Sequence, residues 1–154
     1  MNIRLVSGLV FLFIMLSGCS WQEYFVIMNN SPKPVTIEYC VTMSFNGFPI
    51  FADDPEIFEC NRNNTIIWER PVKQEVTTTS DTVFRFTLNP GNASIIGRLS
   101  NDHYSNYNQY YINGRVFNLD HIFIYSDKDT TTIYPENFDK VFKKDDGYIL
   151  CRLS

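Results

Sequence analysis

Val35-Thr36-Ile37-Glu38-Tyr39-Cys40-Val41-Thr42-Met43 alternates apolar and polar residues without a break. Successive side chains of a strand point to opposite faces, so this run predicts a half-buried strand over 35–44. Its apolar face carries Val35, Ile37, Tyr39, Val41 and Met43, and its polar face carries Thr36, Glu38, Cys40 and Thr42. The stretch 82–88 repeats the pattern, with Phe84, Phe86 and Leu88 opposed to Arg85 and Thr87. Shorter runs at 24–28, 65–69, 93–99, 110–118, 121–126, 131–134 and 148–153 read as further strands. Between them lies turn chemistry: Asn29-Asn30-Ser31-Pro32-Lys33-Pro34, a loop over 47–55 broken by Gly47, Pro49 and Pro55, and Asn89-Pro90-Gly91-Asn92. The last predicts a hairpin joining 82–88 to 93–99. Residues 71–81 read as an extended connection, and 135–142 holds one helical turn. Eight to nine short strands and no long helix predict an all-β fold, an antiparallel β-sandwich of immunoglobulin-like type. Strands with one clean apolar face suit two packed sheets better than a closed barrel.

The chain begins differently. Arg4 supplies a positive start, residues 5–16 are nearly all apolar, and Leu16-Ser17-Gly18-Cys19 closes the segment. A run of this length is a signal-peptide core, since spanning a bilayer takes roughly 20 apolar residues. The four closing residues resemble the lipobox of bacterial lipoproteins. That resemblance implies cleavage before Cys19, a diacylglycerol on its sulfur and a further acyl chain on its amine. Two or more acyl chains anchor a protein stably, where one does so only marginally. In such proteins a residue other than Asp after the modified cysteine, here Ser20, accompanies outer-membrane sorting. The expected organisation is a signal peptide over 1–18, a lipid-anchored tether over 19–22 and one domain over 23–154. At ~3.5 Å per residue the tether reaches on the order of 15 Å, which keeps the body close to the bilayer. Trp21 and Tyr24 suit the headgroup region, where amphipathic aromatics are favoured.

Removing residues 1–18 from the 154-residue chain leaves 136, one domain's worth. Arg4 leaves with the leader, so 12 of the 13 basic side chains remain against 17 acidic ones, a net charge of about −5. This balance offers no basic stripe for nucleic acid. It also gives no electrostatic attraction to anionic lipid, so the acyl chains must do the anchoring. After Cys19 three cysteines remain: Cys40, Cys60 and Cys151. Cys151 shares a face with Ile149 and Leu153 and reads as a buried free thiol. Cys40 and Cys60 are the disulfide candidates, because an exported domain can oxidise them.

No nucleophile elbow and no CxxC motif is present. His103 and His121 each follow an aspartate, and with Asp53 and Asp54 they sketch a metal site. Adjacent strand residues point apart, however, so no metal or other cofactor is expected. The richest candidate site is residues 101–111, where Tyr104, Tyr107 and Tyr110 offer stacking faces and Asn106 and Asp102 offer polar partners. Such a loop suits a glycan or a protein surface. The expected role is non-catalytic: an accessory lipoprotein of the bacterial envelope that binds an envelope protein or glycan and holds the membrane through Cys19. The competing expectation is an envelope hydrolase using His103 or His121.

Overall fold

The computed structural model describes residues 21–43 and 47–154. The apolar leader, Cys19, Ser20 and Ser44 lie outside the described residues, as does the side chain of Asp53. Among the described residues thirteen strands and one helix follow in order: β1 (Gln22–Asn29), β2 (Val35–Val41), β3 (Phe48–Pro49), β4 (Phe51–Cys60), β5 (Ile66–Pro71), β6 (Thr77–Ser80), β7 (Val83–Leu88), β8 (Asn92–Ser100), β9 (Arg115–Val116), β10 (Leu119–Tyr125), β11 (Thr130–Ile133), α1 (Pro135–Val141), β12 (Lys143–Asp145) and β13 (Tyr148–Leu153). A six-stranded sheet, β12-β13-β1-β8-β4-β5, packs on a five-stranded one, β11-β10-β2-β7-β6. The fold is an all-β sandwich. Its large pairings are antiparallel except that β1 and β13, the first and last strands, run parallel from Tyr24 beside Tyr148 to Asn29 beside Leu153. A small parallel pair, β3-β9, sits at one end.

The alternation in β2 and β7 decides the packing. Val35, Ile37, Tyr39, Phe84, Phe86 and Leu88 all enter the core between the sheets, where they meet Phe25, Ile27, Ile57 and Ile96 from the opposite sheet. Cross-strand pairing of Ile37 with Phe86 and Tyr39 with Phe84 puts the large side chains side by side. The six-stranded sheet is covered on its other face too. Val26, Met28, Ala93, Ile95 and Leu150 form a second apolar cluster there with Phe58 and Ile66. That explains the near-continuous apolar run of β8: a strand covered on both faces has no reason to alternate.

Several local expectations change. Residues 89–92 do not close a hairpin, because β7 and β8 belong to different sheets. The turn is a crossover, fastened by the buried Asn29, whose amide donates to Leu88 O at 2.8 Å and to Lys33 O at 2.9 Å. Gly91, at φ +75°, donates its N–H to Asn29 O. The predicted loop over 47–55 instead carries β3 and the start of β4, and an irregularity between Phe51 and Glu56 absorbs the proline-containing stretch. Most of 110–118 is loop, with only β9 extended. Strand β6 lies within the predicted connection. Helix α1 forms where one turn was expected, with Pro135 at its start and Asn137 Oδ1 accepting the Tyr134 N–H at 2.7 Å.

Candidate functional site

One end of the sandwich gathers the start of β1, the end of β2, the end of β8 and residues 101–114. Hydrogen bonds hold these pieces in register. Asn101 N donates to Trp21 O at 3.1 Å, Phe48 N to Gly114 O at 3.0 Å, and Thr42 N to Asn118 O at 2.7 Å. Asp102 Oδ2 accepts the Ile112 N–H at 2.8 Å. The buried Asn118 accepts from Ile50 N and Phe51 N and returns its amide to Phe51 O. Five large apolar side chains stand out to solvent on this end: Trp21 (44% exposed), Met43 (58%), Phe48 (65%), Ile112 (81%) and Tyr110 (90%). The Trp21 ring stacks on His103 at 4.9 Å, and the Arg115 guanidinium lies 5.8 Å over Phe48.

Beneath this rim the five residues expected to bind ligand separate. Tyr104 is 7% exposed and belongs to the core, against Phe25, Phe117 and Phe138. Its hydroxyl donates to Asp139 Oδ1 at 2.5 Å, and burial followed by that carboxylate pushes the phenol far above its usual range. Tyr107 is half-buried against Phe117, leaving only Tyr110 open. Asp102 turns inward to bind backbone N–H groups at His103 and Ile112, and Asn106 organises its own turn. The stretch is therefore a plug for the end of the sandwich. Chain composition reads aromatic density, but burial decides which rings remain to meet a ligand.

Glu23 is the charge that organises the plug. It is buried, and its carboxylate meets Lys144 Nζ at 2.8 Å, His103 Nδ1 at 2.8 Å and the Tyr104 N–H at 2.8 Å. Burial alone would raise its pKa, yet the Lys144, His103 and Tyr104 bonds together hold it below the usual value. The sequence signal was present but unread: a glutamate in the opening strand, one residue from the apolar run.

The cysteine pairing expected between Cys40 and Cys60 is not made. Both are free thiols, as is the buried Cys151. Cys40 lies on the five-stranded sheet and Cys60 at the end of β4 in the other, packed against the outer cluster. Burial pushes the Cys60 thiol up to about 11 and that of Cys151 to about 12.

The two histidines do not share a site. His103 is tied to Glu23 and His121 to Asp120, whose Oδ2 lies 2.6 Å from His121 Nδ1. The expectation that Asp120 and His121 point apart fails because β10 is irregular between Leu119 and His121 in its pairing with β2. A bulge leaves one residue out of the ladder and re-aims its side chain. His121 stands directly opposite Cys40 across the strands, and the ligand atoms of Cys40, Asp120 and His121 all lie within 4.8 Å of one another. Asp54 is exposed in β4, on the other sheet. Strand parity had placed Cys40 outward, but only the register brings it to the histidine.

On the outer face of the six-stranded sheet, Val26, Met28 and Leu150 floor a cleft of about 220 Å³ rimmed by Asn63, Asp145 and Arg152. No helix among the described residues is long and apolar enough to cross a membrane. No protein-family model matches the chain, and neither a curated protein nor a solved structure is detectably similar to it.

Proposed function

We propose that this chain is a lipid-anchored protein of the bacterial envelope, fastened through acyl groups on Cys19 and probing its surroundings with a non-catalytic β-sandwich. The observation that carries this reading is the apolar rim. Trp21, Met43, Phe48, Tyr110 and Ile112 share the end of the sandwich from which the chain departs toward Cys19, two residues before Trp21. A tether this short presses that end against the bilayer. There, exposed aromatic and aliphatic side chains are favoured, and Arg115 beside Phe48 has a guanidinium to place at the headgroups. The opposite end and both outer faces then point away from the membrane. The 220 Å³ cleft has an apolar floor and a polar rim, a composition suited to one sugar ring or one side chain of an envelope protein.

Two measurements test the reading separately. Mass spectrometry of the mature N-terminus reports on Cys19, and an unmodified cysteine removes the anchor. Trp21 and Trp68 are the two indoles of the chain. In a Trp68→Phe background reconstituted into vesicles with brominated acyl chains, Trp21 fluorescence is quenched, and a Tyr110→Ser/Ile112→Ser pair weakens the quenching. Full Trp21 emission from a lipidated protein would show that the body stands clear of the bilayer.

A further inference from the structure

The outer face of the five-stranded sheet carries three different metal-ligating groups at one point. We infer that Cys40, Asp120 and His121 form a zinc site, a property independent of how the chain is anchored.

The ligand set is a thiol, an imidazole and a carboxylate. Zinc is bound by these three groups in proteins, and three protein ligands with a water in the fourth position make an open tetrahedral site. With metal–ligand bonds of about 2.0–2.3 Å, donors around such an ion sit roughly 3.3–3.8 Å apart. The three donors here all lie within 4.8 Å of one another, a gap that rotation of exposed or half-buried side chains closes. Two features of the backbone create the convergence. The β2–β10 register sets Cys40 opposite His121, and the irregularity at Leu119–His121 turns Asp120 onto the same side.

The electrostatic setting favours a cation. Asp120 and Glu38 both face the thiol and raise its pKa, after burial, which is the larger cause. Glu38 is itself engaged by Arg85 at 3.6 Å, whereas Asp120 is held at 2.6 Å by His121, its fellow ligand. Nothing here resembles an activated nucleophile. The Cys40 thiol makes only weak contacts, to Val41 O at 3.9 Å and Thr82 Oγ1 at 4.0 Å, and its pKa is raised where a reactive cysteine needs it lowered. A bound dication reverses that balance: the sulfur–zinc bond forms as the S–H bond breaks, and the proton leaves to solvent.

The test uses the reduced, metal-free mature protein titrated with Zn²⁺ against a chromophoric chelator. One equivalent binds, and Cys40→Ser and His121→Ala each weaken it by about tenfold or more, since loss of even an outer-shell partner costs that much. Cys60→Ser leaves it unchanged. Two readouts need no variant at the site. Co²⁺ in place of Zn²⁺ gives thiolate-to-metal charge-transfer absorption, and Zn²⁺ slows alkylation of Cys40 but not of Cys60 in the folded wild type. Zinc uptake undiminished by Cys40→Ser, a cobalt complex without thiolate absorption, or unprotected Cys40 would each overturn the assignment.

Discussion

Glu23 shows what a single side chain contributes at the residue scale. Three donors converge on one buried carboxylate, so Glu23→Gln removes charge-assisted bonds and strands Lys144 without its partner. A loss of about 1–3 kcal/mol is expected in denaturant unfolding. The acid limb follows from the direction of the pKa. Because the folded value lies below the ordinary 4.5, the stabilising contribution is complete above the unfolded pKa and disappears as pH falls through the folded one. Wild type and Glu23→Gln should therefore converge in stability on acidification below about pH 4.5; a constant difference down to low pH would refute the role. Tyr104 makes the complementary point. Its ring was legible as aromatic, but the sequence held no sign that Asp139 waits 35 residues later to take its hydroxyl.

The legibility of an element depended on whether it faces the core on one side. β2 and β7 were readable residue by residue, because one buried face forces strict alternation. The single misfit, Met43, is exposed because β2 ends at Val41. β4 was unreadable, since Pro55 and paired aspartates look like loop chemistry and the irregularity that accommodates them is a property of the pairing. The β7–β8 crossover was misread for a related reason: a tight turn specifies a reversal of direction, not which sheet receives the next strand. Asn29 and the partners of β8 settle that. Close packing between elements also yields a prediction. A Cβ on Gly97 in β8 would lie 2.8 Å from Ile50 O and 3.2 Å from Phe51 Cδ1, and backbone cannot swing aside as a flexible side chain does. Gly97→Ala should cost roughly 1–3 kcal/mol, read from the urea midpoint. An unshifted midpoint would mean that the β4–β8 contact is looser than drawn.

At the scale of the molecule, the two-sheet architecture was legible from spacing alone, while the candidate site was legible only as a neighbourhood. Residues 101–114 do sit at the end of the sandwich, beside the departing N-terminus, but of the predicted tyrosine trio only Tyr110 stands open there, beside Trp21, Met43, Phe48 and Ile112. Metal-ligating residues were noticed in pairs and assembled only by a bulge, which no single-sequence pattern announces.

The strand order has one more consequence. β1 lies between β8 and β13, so one of its edges stays empty until β13 arrives. Pairing partners more than 120 residues apart must meet before the sheet closes, and distant meetings are slow. A chain truncated before Tyr148 should remain protease-sensitive, whereas a stable truncated body would show that the C-terminal strand is dispensable. If the chain is exported N-terminus first, as proposed, the body stays open on the far side of the membrane until β13 has crossed. Arrival of that closing strand would then serve as the trigger for the body's own closure.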